Sequence, residues 1–180
     1  MRAVAVLSPE VPEREFCALY QRELPFVFHS LRRLGVAPPA LEDFVHDVFV
    51  LVFKRWHSYD PQRPLRPWLF GIAYRVVLDF NRKLETQRTT RGRAPDDNPS
   101  HEPSPEEQVA LQEAQGHVNA ILDTMELGRR AVFLLHEFEG CSMPVIAETL
   151  GLPLNTAYSR LRLARRDFNE GVRRLGEVRS

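Results

Sequence analysis

A chain of 180 residues with 24 basic and 24 acidic side chains has no net charge, so no global positive field draws it onto nucleic acid, and its length suits one domain or two small ones. Its two cysteines, Cys17 and Cys141, lie far apart without CxxC or Cys/His spacing. This argues against a disulfide framework or a zinc site and for reduced thiols in a cytoplasmic protein. The leading MRAVAVLSPEVP is too short and too weakly apolar for a signal peptide, and no run approaches the ~18 apolar residues of a membrane span, so no membrane contact of its own is expected.

Charge is unevenly distributed along the chain. Residues 1–84 carry twelve basic and nine acidic side chains, residues 106–153 two and eight, and residues 154–180 seven and three. Basic ends around an acidic middle suit a protein that touches DNA at two places and something else in between.

Between Val11 and Gly35 the residues Phe16, Leu19, Tyr20, Val27, Leu31 and Leu34 recur at helical spacing, and Pro25 inside the run should bend or split the helix. A second helix, from about Ala40 to Trp56, buries Leu41, Phe44, Val45, Val48, Phe49, Val52 and Trp56. Its other face carries Glu42, Asp43, His46, Asp47, Val50 and Lys54, a pattern that spacing alone reads equally as solvated or as a docking surface. The stretch 57–67 holds three prolines, two arginines and Tyr59 and is irregular. Leu65, Trp68, Leu69, Ile72, Ala73, Val76, Val77 and Phe80 then repeat at three and four, opposite Gly71, Tyr74, Arg75, Leu78, Asp79, Arg82 and Lys83. A loop with arginines and rings leading into a helix with a basic end suits single-stranded DNA, because bases stack on rings and cations follow the backbone. For Trp56 and Trp68 themselves, plain core is the favoured reading.

Residues 85–105 are almost devoid of apolar side chains and cannot offset the entropy of ordering, which makes them a flexible linker. A helical pattern resumes at Pro105 through Val109, Leu111, Val118, Ile121, Leu122 and Met125, and another runs from Leu127 to Phe138. Arg129 and Arg130 begin the latter, where the helix dipole disfavours cations; they point to a phosphate or acidic partner, or are unpaired surface. Two short helices follow, Ser142 to Leu150 and Leu154 onward, separated by Gly151, Leu152 and Pro153, the layout of a helix-turn-helix. In the second of these, Leu154, Ala157, Leu161, Ala164 and Phe168 form the inward arc. Asn155, Ser159, Arg162 and Arg166 lie opposite, with Thr156, Tyr158 and Leu163 on the borders: amide, hydroxyl, guanidinium and apolar groups of the kind that read base edges in a major groove. Arg160 and Arg165 sit on the flanks, where phosphate contact is the expected role. The fold class is therefore all-α: two small helical domains joined by a flexible linker, the second with a helix-turn-helix, at 11–84, 85–105 and 106–175. There is no GxxxxGK[ST], HExxH or GxSxG motif and no acidic cluster at metal-ligand spacing, so no catalytic residue, metal or cofactor is expected.

In order and spacing, LEDFVHDVFVLVFKRW, PLRPWLFGIAYRVVLDFNRK and RRAVFLLHEFEGCSMPVIAETLGLPLNTAYSRLRLARR resemble the extracytoplasmic-function (ECF) sigma factors of bacterial RNA polymerase over about residues 12 to 170. The resemblance implies that the first domain is sigma region 2 and the second is region 4. It implies that Glu42, Asp43, His46, Asp47 and Val50 dock on core RNA polymerase. It assigns Ser58, Tyr59, Arg63, Arg66, Tyr74, Arg75, Asp79 and Arg82 to the melted −10 element of promoter DNA. Asn155, Thr156, Tyr158, Ser159, Arg160, Arg162, Leu163 and Arg166 fall to the duplex −35 element, and an anti-sigma factor is the implied regulator. Against the family's pattern, His46 replaces a common glutamine, Met143-Pro144-Val145 an acidic helix start, and Leu163 an often basic residue. Two rivals are a helix-turn-helix regulator that binds DNA independently of polymerase, dimerising through residues 11–83, and an RNA-binding anti-termination protein.

Overall fold

The computed structural model of the protein describes residues 13–90 and 116–178. Among them every regular element is helical, so the all-α reading stands. Helix α1 (Glu13–Arg33) runs unbroken through Pro25. An internal proline costs about 3 kcal/mol, but Leu19, Val27 and Leu31 on the same helix are all buried, at about 1.5–3 kcal/mol each. Burial therefore overrides the local break expected from sequence. A 3-10 turn at Pro38–Ala40 leads into α2 (Leu41–Arg55), whose expected stripe of Leu41, Phe44, Val45, Val48, Phe49 and Val52 is buried. A second 3-10 turn, Trp56–Ser58, opens the irregular loop.

Helix α3 (Leu65–Thr90) packs on both α1 and α2. It extends six residues into the stretch read as linker, since lengthening an existing helix avoids the nucleation penalty. Residues 91–105 of that stretch, and the helical pattern through Val109 and Leu111, lie outside the described residues. Phe80, expected inside, is 43% exposed and meets Phe44 edge-on at 5.0 Å.

The second half begins with α4 (residues 116–123). Helix α5 (Leu127–Phe133) is capped by Glu126, whose carboxylate accepts from the backbone N–H groups of Gly128 and Arg129 at 2.8 and 3.1 Å. It continues as one π-helical stretch, Leu134–Phe138. The arginines at its start have internal partners. Arg129 donates to Asp167 at 2.9 Å, while buried Arg130 donates to Asp123 at 3.1 Å and to the Met125 carbonyl at 3.0 Å. Burial pushes the Arg130 pKa down, with Asp123 opposing.

Helix α6 (Met143–Leu150) ends at Gly151, which takes the left-handed conformation (φ 66°, ψ 41°). The Leu152 N–H reaches back to the Ala147 carbonyl at 2.8 Å, closing the turn before α7 (Leu154–Val178). Ser142 caps α6 in position only; its side chain makes no capping bond. Ala157, Leu161 and Ala164 are buried, and Phe168 stacks on Phe133 at 5.0 Å. Leu154 departs from the expected inward arc and is 43% exposed, at the first residue of the helix.

The two halves touch. Helix α6 lies against α3, Arg32 pairs with Asp123 at 3.6 Å, and the Arg33 guanidinium sits 4.4 Å over the Phe138 ring. Gly35, at φ 97°, passes so close to the Arg130 guanidinium that a Cβ there would lie 2.3 Å from it.

Candidate nucleic-acid interface

The irregular stretch before α3 is ordered by its own polar groups. The Asp60 carboxylate accepts from the Gln62 backbone N–H at 3.0 Å, and the Tyr59 hydroxyl donates to the Arg63 carbonyl at 2.8 Å. Tyr59, Trp56 and Trp68 form a ring cluster with centroids 5.2 to 6.1 Å apart. Trp56 and Trp68 are both half-buried, so each braces the loop while keeping a wet edge. Beside this cluster lies a concavity of about 650 Å³ lined by Ser58, Tyr59, Arg63, Trp68 and Arg75, among others. Rings and guanidinium groups sharing one concave surface can stack bases and pair with a strand's phosphates.

Not every residue expected here reaches that concavity. Tyr74 is only 7% exposed, a correction to its expected place on the open face of α3. The physical reason is that α3 packs on α1, α2 and α6, so more than one of its sides is covered. Arg66 turns toward α1, pairing with the buried Glu23 carboxylate at 3.3 Å and standing 5.1 Å over the Phe26 ring. Asp79 lines a different groove, between α2 and α3, and Arg82 is exposed one turn further on. Sequence reasoning missed Arg55 and Pro67 as lining residues, whereas Asp60 lies within the loop 58–66 that the resemblance assigns to the −10 element. It also missed three from the other half, Val145, Glu148 and Thr149, for which the sequence carries no signal because their proximity is tertiary.

On α7, Asn155, Tyr158, Ser159, Arg162 and Arg166 are exposed, and Thr156 and Leu163 are half-buried at the borders. Tyr158, Ser159, Arg162, Arg165 and Arg166 line a shallow surface of about 750 Å³ that Arg173 extends. Arg160 is half-buried instead, its guanidinium so close to Gly128 that a Cβ there would lie 2.6 Å from it. The π-helical end of α5 brings His136 and Glu137 to the same surface, where Arg165 donates to Glu137 at 2.7 Å. That hydrogen bond and charge hold the Glu137 carboxyl below its ordinary range.

Glu42, Asp43, His46 and Asp47 are exposed on α2 and make no ion pair among the described residues; Val50 is half-buried between them and the core. Asp43, Asp47, Val50, Lys54, Asp79 and Phe80 line a groove of about 530 Å³ between α2 and α3. An apolar floor whose walls carry three aspartates beside Lys54 and Lys83 suits an amphipathic partner surface with charges of both signs.

Among the described residues no group of His, Cys, Asp and Glu is arranged to hold a metal ion, and no helix is long and apolar enough to cross a membrane. Both cysteines are free, and burial pushes the Cys141 thiol pKa up.

Comparison with known proteins gives matches to both halves. The Sigma-70 region 2 family profile matches residues 19–87, and the Sigma-70 region 4 profile matches residues 118–168. The chain is 30% identical over 164 residues to the ECF RNA polymerase sigma factor SigK of Mycobacterium sp. (strain KMS), covering 87% of this chain and 84% of that one. It is 28% identical over 171 residues to the RNA polymerase sigma factor CnrH of Cupriavidus metallidurans, covering 91% and 90%. The solved structure of CnrH in complex with the cytosolic domain of CnrY aligns with a TM-score of 0.62 at 25% identity over 88% of each chain. The sigma factor RpoE of Bartonella quintana, solved with the anti-sigma factor NepR, aligns with a TM-score of 0.75 over 89% of this chain and 98% of that one; at 20% identity this is a likeness of fold.

Proposed function

The chain belongs to the ECF sigma factors of RNA polymerase, initiation subunits that bind the core enzyme and direct promoter recognition, and from that premise we propose a division of labour among its residues. The concavity with Ser58, Tyr59, Arg63 and Arg75 captures the melted −10 strand, with Trp68 as an added stacking surface. Extruding a base costs a few kcal/mol, which stacking and guanidinium contacts must offset. Arg66, held by Glu23 and Phe26, and Arg82 follow the phosphates alongside. Tyr74, being buried, acts through the shape of α3 rather than by contact.

The surface with Asn155, Thr156, Tyr158, Ser159, Arg162, Leu163 and Arg166 reads the −35 duplex. Arg160 stiffens the entry of the recognition helix against α5. Glu42, Asp43, His46, Asp47 and Val50 form the polymerase-docking face, to which Asp79 adds a carboxylate. Region 2 occupies residues 11–84 and region 4 residues 106–175, joined by the segment 85–105. The protein works in the cytoplasm and performs no catalysis itself; phosphodiester chemistry belongs to the polymerase. An anti-sigma factor is the inferred regulator, a reading supported by the two relatives solved with a second protein.

The observation that carries this reading is the separation of two DNA-suited surfaces of different kinds. One is concave and aromatic, for a single strand; the other is a shallow, open, basic helix face, for a duplex. The test is transcription by core polymerase on fragmented genomic DNA, with and without the protein, followed by sequencing of RNA 5′ ends. Discrete new start sites that share upstream motifs at two fixed spacings are expected. If the protein leaves the set of start sites unchanged, the reading fails.

A further inference from the structure

Three arginines line the concavity assigned above to the −10 strand, Arg55, Arg63 and Arg75, and this inference rests on that assignment. Two of them have protein partners. Arg63 stands between the Asp60 carboxylate, at 3.4 Å, and the Glu148 carboxylate. The Arg75 guanidinium donates to the Gly71 and Thr149 carbonyls, each at 3.1 Å. Arg55 differs: it is exposed, and among the described residues its guanidinium makes no hydrogen bond or ion pair. The pocket's two carboxylates, Asp60 and Glu148, both lie on Arg63 and neither on Arg55.

The backbone at the end of α2 explains why this side chain is available. A basic residue in the last turn of a helix commonly serves the carbonyls left open there. Here the Ser58 hydroxyl donates to the Arg55 carbonyl at 2.6 Å and the Tyr59 N–H donates to the Trp56 carbonyl at 3.0 Å, so neighbouring groups close the turn. The Arg55 guanidinium, with five N–H donors and a fixed charge, is left on the pocket wall. Trp56 is the next residue, and its ring meets those of Tyr59 and Trp68 at centroid distances of 5.3 and 6.1 Å. A base stacked on that cluster carries its own phosphodiester beside it, whichever base it is.

We propose that Arg55 is a phosphate contact of the single-strand pocket, holding the backbone of the captured strand while the ring cluster takes its bases. Such a contact adds affinity and salt dependence and carries no base preference. A role confined to the dipole of α2 needs no DNA: it would change the melting temperature and leave the salt dependence of strand binding alone.

The experiment titrates the full chain with 12-nucleotide single strands of differing base composition and follows the quenching of tryptophan fluorescence. Trp56 and Trp68 are the chain's two tryptophans and both belong to the ring cluster, so the signal reports this pocket and not the basic face of α7. Each phosphate neutralised on a single strand contributes about 0.7 to the slope of log affinity against log salt. Arg55→Ala should therefore lower that slope by about 0.7, which is about fivefold weaker binding at about 0.1 M salt and none at about 1 M, by the same factor for every strand. Arg55→Lys should keep the parent slope. Arg14→Ala should keep it too, since it removes the same charge from an exposed position on α1 that does not line the pocket. The proposal is overturned if Arg55→Ala matches Arg14→Ala, if Arg55→Lys loses as much as Arg55→Ala, or if the loss varies with base composition. In each of those cases the pocket assignment survives so long as Arg63→Ala with Arg75→Ala weakens the quenching. If that double variant leaves the quenching untouched, or the parent chain shows none, the pocket assignment falls and this proposal with it.

Discussion

Replacing Gly171 with alanine sets helix propensity against packing, and the two predict opposite signs. In an exposed helix interior this change stabilises by about 1 kcal/mol. Gly171 is buried where α7 passes α4, and a methyl group there would stand 2.6 Å from Ile121 Cγ2 and 3.0 Å from Cγ1, well inside the ordinary contact range of 3.4–4 Å. Ile121 is itself 4% exposed, so displacing it disturbs the packing around it even though it borders a small apolar groove. Overpacking of this kind costs about 1–3 kcal/mol, so the net expectation is a loss of up to about 2 kcal/mol. Urea denaturation followed by far-UV circular dichroism reads the loss. Trp56 and Trp68, the two tryptophans of the chain, both lie in the α1–α3 half, so their fluorescence reports that half and should shift less. In an Ile121→Ala background the obstruction is gone, and adding Gly171→Ala should be neutral or stabilising, a coupling of about 1 kcal/mol or more. A rise in the unfolding midpoint on Gly171→Ala alone would refute the packing argument and leave propensity as the governing term.

Arg162→Ala should cost about 1–3 kcal/mol in binding to a −35 duplex if the guanidinium makes a bidentate base contact, and should relax preference at one base position; selection from a randomised duplex library reads both. Asp47→Arg should weaken association with core polymerase in a pull-down while the melting temperature stays within about 1 °C, because the side chain is exposed and makes no ion pair among the described residues. Loss of folding instead would make that face structural. The Arg165 hydrogen bond lowers the Glu137 carboxyl from its ordinary 4.5, and a carboxyl lowered in the folded state adds stability at neutral pH that disappears as pH falls through the folded value. Arg165→Ala should therefore bring the Glu137 titration midpoint back up toward 4.5, read by carbon-13 NMR, and flatten the acid side of the stability profile.

What the amino-acid sequence determines by itself is what local periodicity and turn chemistry encode. The stripe of α2 and the outward face of α7 depend on side chains three or four residues apart, and the break at Gly151 on a residue free to take the left-handed conformation. Their placement in the structure follows the pattern because a helix face with that spacing has one way to bury itself. Polar identity along those faces was equally legible, since Glu42, Asp43, His46, Asp47, Asn155 and Arg162 are exposed where the period puts them. Tertiary structure alone decided the rest. Tyr74 and Arg160 sit at outward or flanking phases of their helices yet are covered, because α3 and α7 each pack on more than one neighbour. Arg66 was legible as a cation but not as one held by Glu23, 43 residues earlier. Pro25 was legible as a break that the buried face of α1 overrules. The pairing of Arg63 with Glu148 spans 85 residues, and no periodicity carries information over that distance. Spacing in sequence reports neighbours on one helix, whereas the occupant of a pocket is decided by which helices meet.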